Sequence, residues 1–225
     1  VSATDMTEQK RTQRLASMGQ MAAHLAHEIR NPVGSVAILA STIHPMVDDR
    51  IKPIVDEIKK SIWRVERIIK ATLLFTKGVA IKKSDFELKQ LEDEMKSAVS
   101  HYSYSKDIEF EFTLPDINIQ GDFELISMVI QNMIFNAIDA IEDTRDDTGL
   151  IRVYLDEDDG YFYLAVEDSG APIADKSMLF DPFKTTKTKG NGLGLALSLQ
   201  IANAHGGKIE IGEPKCFRLS ISKEL

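Results

Sequence analysis

The chain has 225 residues, a formal net charge of −8, 43% hydrophobic and 28% charged residues, and a single cysteine, Cys216. That balance is one of an ordinary globular protein with room for one large domain or two modest ones. It works against a nucleic-acid or anionic membrane partner, because no long basic run offsets the negative charge. One cysteine excludes an intrachain disulfide and a Cys-rich zinc site, and a reducing, cytoplasmic compartment is expected; no apolar run approaches the ~20 residues of a membrane helix, and no leader pattern opens the chain.

Leu15, Met18, Ala22, Leu25, Ile29, Val36 and Ile43 recur at alternating spacings of three and four, with Pro32 in the slot between Ile29 and Val36. This is a heptad seam on a helix. HPMVDDR (His44–Arg50) interrupts it with a proline and paired aspartates, and Ile51, Val55, Ile58, Ile62, Val65 and Ile69 then resume the spacing. The pattern predicts an all-α antiparallel hairpin over residues 1–78. Ile54, Ile68, Leu73, Leu74 and Phe75 add apolar surface beyond the seam. One hairpin cannot cover so much, so a homodimer built on a four-helix bundle is expected.

TKGVAIKKSD (Thr76–Asp85) is basic and unpatterned, and residues 79–85 read as a linker to a second domain, 86–225. There the period changes. Ile108–Leu114, Leu150–Asp156, Tyr161–Asp168, Lys208–Gly212 and Phe217–Ser222 alternate, or are rich in β-branched and aromatic residues, as strands are. Leu88–Ser100, Phe123–Glu142 and Gly192–His205 read as helices. Helices layered on a mixed, mainly antiparallel sheet are expected, an α+β sandwich.

MAAHLAHEIRNPVG (Met21–Gly34) places His24 and His27 three apart on the first helix. With Leu25 and Ile29 on the seam, His27 faces the other way, into water, which disfavours a packed core histidine. A metal site takes about three protein ligands, and Glu28 points about 100° round the helix from His27. The order is HxxHE rather than HExxH, so a protease-like zinc pair is absent too. Two readings remain: incidental surface histidines, or a nucleophile. A neutral imidazole, with a pKa of roughly 6.5, offers a lone pair at neutral pH. The Glu28 carboxylate next to it can take or hold the proton on the other ring nitrogen. Asn31 shares the face of His27 one turn on, where it can orient a water, and Pro32 removes a backbone hydrogen bond just beyond.

Further along, Asn132 and Asn136 lie four apart on one face of the Phe123–Glu142 helix, with Asp139 close behind. Two amides on one side of an apolar helix call for a polar ligand. Asp168-Ser169-Gly170 follows a strand. Gly190-Asn191-Gly192-Leu193-Gly194 opens a helix, which presents free N–H groups to phosphate. Thr185, Thr186 and Lys187 just ahead add hydroxyl donors and a cation suited to a terminal phosphate.

His27-Glu28-Ile29-Arg30-Asn31-Pro32 resembles the phospho-acceptor box of sensor histidine kinases, and the later segments follow in that family's order. Asn132 to Asn136 resembles its N-box, and Asp168-x-Gly170 its first glycine box, with Pro172 where a second Gly is expected. Leu179-Phe180-Asp181-Pro182-Phe183 resembles the F-box, whose phenylalanines Phe180 and Phe183 would anchor a lid, and Gly190–Leu195 the second glycine box. The short Thr-Thr-Lys lid is most similar to cytosolic nitrogen-regulation and flagellar-regulation kinases.

The resemblance implies a Bergerat-type ATP-binding fold. Asn136 would hold Mg²⁺ against the ATP phosphates, Asp139 would hold a water of that ion, and Asp168 would accept the adenine amino group beside Gly170. Asn132, Phe180, Thr185, Thr186, Lys187, Gly190, Gly192, Leu193 and Gly194 would complete the nucleotide site. It also implies ATP-dependent autophosphorylation of His27 with Glu28 as general base, transfer to an aspartate of a response-regulator receiver domain, and a phosphatase role for Asn31. Two other classes stay open: a gyrase- or Hsp90-like ATPase, and a catalytically silent dimeric scaffold. Those hydrolases resemble one another in a Glu four residues before the magnesium Asn, a position held here by Asn132.

Overall fold

In the computed structural model the described residues are 26, 28–173, 175–184, 192–213 and 215–224. The chain divides into two units, Val1–Gly78 and Val79–Leu225.

The helical unit is set by its turn. Helix α1 (28–43) runs into a short 3₁₀ turn, His44–Met46, with Pro45 near its start. The Asp48 carbonyl accepts the amides of Ile51 (3.0 Å) and Lys52 (3.1 Å), and its Oδ1 accepts those of Arg50 (3.0 Å) and Ile51 (3.2 Å). One aspartate thus satisfies the otherwise orphan N–H groups where α2 (Lys52–Lys77) begins. His44 Nε2 lies 3.1 Å from Asp56 Oδ1, tying the turn to the first part of α2. Gly78 ends α2 at φ 84°, a backbone conformation that a residue with a Cβ rarely adopts.

Leu15, Met18, Ala22 and Leu25 of the seam lie outside the described residues, as does His24. The rest of the seam splits. Val55 and Ile69 are buried together with Ala26, Ala40 and Ala71. Ile29, Val36, Ile43, Ile51 and Ile58 remain between 42% and 45% exposed. On α1 the buried stripe therefore runs through small alanines next to the heptad line, whereas the bulkier seam residues face outward. Of these, Val36 and Ile58 border an apolar groove of about 490 Å³ on this unit, together with Pro32, Val33, Ile54, Ile62 and Val65.

In the α/β unit, β1 (Ser84–Glu87) pairs antiparallel with β3 (Asn118–Gly121) in a small separate sheet. Ser84 and Asp85, expected to end the linker, are thus already strand: their partners Gly121 and Gln120 lie far along the chain, beyond the reach of a local pattern. Helix α3 (Gln90–Ser100) follows. The main sheet has the order β2 (Asp107–Thr113), β4 (Thr148–Glu157), β5 (Tyr161–Asp168), β7 (Cys216–Ser222) and β6 (Ile209–Gly212). The β2–β4 pair is parallel and the others antiparallel. Arg152, opposite Glu111 and Glu167 in register, pairs with both at 2.7 and 3.6 Å, a polar ladder on one side of the sheet.

Helix α4 (Phe123–Glu142) is the core, with twelve of its twenty residues buried, and α5 (Gly194–Ala204) packs beside it. By length and composition α4 would suit a membrane, yet two thirds of that stretch is buried inside the protein, as a core helix should be. No other helix among the described residues meets that test.

Ile134 on α4 is fully buried, whereas Ile54 on α2 is 61% exposed. Ile134→Ala is expected to lower unfolding stability by about 2–5 kcal/mol, and Ile54→Ala by less than about 0.5 kcal/mol in the isolated chain. Urea denaturation checks both, and equal losses would contradict the assignment of core and surface.

Candidate functional site

Helix α4 is held rigidly at both ends. At its start Asp122 is buried: Oδ1 accepts the Leu125 amide (3.1 Å), Oδ2 the Lys82 amide (2.7 Å), and its own amide donates to His205 Nε2 (3.0 Å). His205, fully buried, uses Nδ1 on the Ile201 carbonyl at 2.8 Å, so the tautomer protonated at Nδ1 satisfies both contacts. At the far end Lys106 Nζ donates to the carbonyls of Ile141 (2.6 Å) and Thr144 (2.8 Å), a cation where the helix dipole is negative. Glu142 accepts the amides of Ser105 and Lys106, both at 3.0 Å. Burial pushes its carboxyl upward, but the hydrogen bonds from Ser105 and Lys106 outweigh that and hold it below the ordinary range.

Between these anchors one edge of α4 is polar. Asn132, Asn136 and Ala140, spaced by four, share it, over about 12 Å of helix. At one end Asn132 Nδ2 donates to the Gly194 carbonyl and to Ser198 Oγ, both at 3.3 Å, while Ser198 Oγ itself donates to Gly194 O at 2.8 Å. Asn132 thereby fixes the first turn of α5 against α4. At the other end Gly170 lies so close that an added Cβ would sit 2.6 Å from the Ala140 carbonyl carbon and 2.7 Å from the Ile141 nitrogen. The Ala171 amide donates to Ala140 O at 3.1 Å. Half-buried Asn136 falls midway. Asp139, one turn on, accepts the Tyr102 hydroxyl at 2.7 Å, and the Tyr102 ring stacks on Phe135 at 4.1 Å between centroids.

Asp168 ends β5 with its side chain 1% exposed. Its Oδ1 accepts the Gly170 amide at 2.8 Å and the Lys215 ammonium at 2.9 Å, and Lys215 also donates to Ala171 O at 2.9 Å. The segments flanking residues 185–191 meet where the Phe183 amide donates to Gly192 O at 3.0 Å. Both residues have positive φ, 64° and 66°, and a Cβ on Gly192 would lie 2.6 Å from the Phe183 carbonyl carbon. Phe180 is half-buried, but the Phe183 ring is 51% exposed, so it is the Phe183 backbone that makes this junction. Leu193 is buried and packs, and its carbonyl accepts the Leu197 amide at 2.9 Å.

The structure therefore brings Asn132, Asn136, Asp139, Asp168, Gly170 and Gly194 along one edge. Glu28 and Asn31 are exposed on α1, in the other unit. His27, Thr185, Thr186, Lys187 and Gly190 lie outside the described residues. Among the described residues no cluster of three or more metal-ligating side chains occurs. Lys215, Tyr102 and Ser198 were not foreseen from sequence; each reaches a partner on another element, which no local motif records. Chemically the edge sets a buried carboxylate at one end, an amide at its middle, and a glycine-opened helix at the other. It suits an elongated ligand with an amine at one tip and anionic groups at the other.

A family profile described as "Histidine kinase-, DNA gyrase B-, and HSP90-like ATPase" matches residues 121–225, and one described as "His Kinase A (phospho-acceptor) domain" matches 17–80. Sensor histidine kinase FlgS of Helicobacter pylori is 48% identical over 98% of this chain and 59% of its own length. Sensor histidine kinase ZraS of Escherichia coli strain K12 is 32% identical over 91% of this chain and 44% of its own. The chain thus spans roughly half the length of these two relatives. Among solved structures, the catalytic domain of histidine kinase ThkA is 30% identical with a TM-score of 0.54, covering 63% of this chain and 96% of that one. ThkA in complex with the response regulator TrrA is 28% identical with a TM-score of 0.55, covering 98% of this chain and 66% of that one.

Gly170→Ala is expected to cost about 1–3 kcal/mol by overpacking the Ala140–Ile141 backbone. Tyr102→Phe, which keeps the ring stack and loses one hydrogen bond, should cost about 1 kcal/mol. Denaturation midpoints check both, and an unchanged midpoint for Gly170→Ala would contradict the close approach.

Proposed function

Since this chain belongs to the histidine kinase family, we propose that it transfers the γ-phosphoryl group of ATP to His27 and passes it on to an aspartate of a response-regulator receiver domain. The observation that carries this reading is the α4 edge, with Gly170 and Asp168 packed at its Ala140 end, Gly194 at its Asn132 end, and Asn136 between. The adenine amino group donates to Asp168, and the phosphates extend toward the glycine-opened start of α5. Asn136 fits a role on the magnesium ion that accompanies the phosphates, being a half-buried amide on this edge beside Asp139. That ion, when bound, neutralises charge on the β- and γ-phosphate oxygens.

Transfer needs a neutral imidazole. The free nitrogen of His27 attacks phosphorus, the bond to the bridging oxygen breaks, and ADP leaves with the electron pair. Glu28 takes or holds the proton on the other ring nitrogen, so the phosphorylated ring does not keep an extra positive charge. Lys187 and the backbone N–H groups of the lid stabilise the transferring charge. Hydrolysis, the gyrase- or Hsp90-like alternative, needs a base aimed at water. The position where those ATPases resemble one another in a Glu is Asn132, whose amide is committed to Gly194 and Ser198. A phosphatase role for Asn31 fits its exposure on α1, where it can orient water toward a partner's phosphoaspartate.

The second copy of this chain is the proposed occupant of the apolar groove: five isoleucine and valine seam positions stay more than 40% exposed in a single hairpin. ThkA, solved with a response regulator, supports a receiver domain as the downstream partner.

With γ-labelled ATP, the chain is expected to acquire acid-labile, base-stable label that His27→Gln abolishes. Glu28→Ala should slow labelling by ~10²-fold or more, and near-normal labelling would remove its role as base. Asn31→Ala should leave labelling intact; abolished labelling would contradict the phosphatase assignment. In light scattering the chain should be a dimer at micromolar concentration and Ile58→Asp a monomer, whereas a monomeric wild type would rule out the bundle.

A further inference from the structure

Lys215 is buried, its side chain 8% exposed, and its ammonium contacts the Asp168 carboxylate, itself 1% exposed. Removing two charges from water costs several kcal/mol per ion before their attraction returns any of it. Stability alone is therefore a poor reason for a lysine here, and a well-packed apolar residue would serve it as well. What the lysine does is specific. It donates to Oδ1, the oxygen that also accepts the Gly170 amide, and its second hydrogen bond holds Ala171 O. Oδ1, with two lone-pair directions, is committed to protein donors.

The consequence concerns the base a nucleotide would present. A carboxylate offering both oxygens pairs with two parallel donors, such as the ring N–H and exocyclic amine of guanine. A carboxylate offering one oxygen matches a single exocyclic amine beside a ring acceptor, which is the edge of adenine. We infer that Lys215 is a specificity-determining residue: by occupying Oδ1 together with Gly170 it makes Asp168 a one-oxygen acceptor and sets the site for adenine over guanine. Its bond to Ala171 O also fixes the loop where Pro172 replaces the glycine expected by resemblance. This inference rests on the proposed contact between Asp168 and the base, and goes beyond it in assigning the selectivity to a residue that need not touch the nucleotide.

The test is competition of ATP and of GTP, each with magnesium, against a fluorescent ATP analogue on the full chain. Wild type should prefer ATP by ~100-fold or more, and Lys215→Met should narrow the ratio by ~10-fold or more, chiefly through tighter GTP binding. Lys215→Arg, which keeps a cationic donor, should retain most of the preference. Lys215→Ala, which admits water beside Asp168, should narrow the ratio as Met does, and stands in if Met prevents folding. An ATP:GTP ratio unchanged in Met or Ala, with ATP still bound, overturns the role of Lys215 while leaving the adenine site standing. Equal weakening of both nucleotides does the same, since it shows mere structural support. No ATP binding to wild type would instead sink the nucleotide reading itself, and this inference with it.

Discussion

A helix buried along most of its length must nonetheless keep one edge polar and keep it still; that constraint governs the α/β unit. Eleven buried apolar residues of α4 drive it into the sheet. Asn136 and Asp139 are useful only if the helix neither slides nor rotates. Its termini are accordingly over-determined. Asp122 links the linker amide of Lys82, the first turn of α4 and His205 after α5, while Lys106 and Glu142 lock the other end. Each contact is worth only about 1 kcal/mol, but together they fix both ends of the helix and so the position of the Asn136 amide proposed to face the phosphates. The same logic places glycine at Gly170: nothing larger lets the β5 end reach α4 so closely.

The division of labour between units follows from surface chemistry. The hairpin buries alanines with Val55 and Ile69 but leaves Ile29, Val36, Ile43, Ile51 and Ile58 exposed, surface that the proposed dimer would cover, while the α/β unit closes its own core. On the proposed function, with the acceptor histidine on the first unit and the nucleotide on the second, catalysis rests on positioning rather than on elaborate chemistry. The same proposal sets this chain apart from hydrolases of like fold: Asn132, four residues before Asn136, spends its side-chain amide on α5 rather than on activating water.

Much of this was legible in the sequence, because the relevant signals are local. Tyr161–Asp168 and Phe123–Glu142 match their observed limits, the one through alternation and the other through a long apolar run. Strands β1 and β3 were not legible: at four residues each they carry no period, and Ser84–Asp85 look like linker until Gln120 and Gly121 pair with them. Within one hairpin the heptad line buries Val55 and Ile69 but not Ile29, Val36, Ile43, Ile51 or Ile58. Which of two adjacent stripes on α1 faces α2 depends on how closely alanines let the helices approach, and spacing does not encode that. The bonds of Asn132 Nδ2 to Gly194 and Ser198 join α4 to α5 across more than 60 residues of chain, which no local spacing records. Lys215 follows a turn with no motif around it, 47 residues from Asp168 in the chain. Only the fold joins them.

The central claim is that phosphorus moves from ATP to an imidazole rather than to water. A single-turnover reaction of the full chain with ATP and magnesium, followed by phosphorus NMR, observes that fate directly. A protein-bound phosphoramidate signal appearing as the γ-phosphate signal falls is the predicted result. Inorganic phosphate as the sole product, with no protein-bound phosphorus at any time, would contradict it.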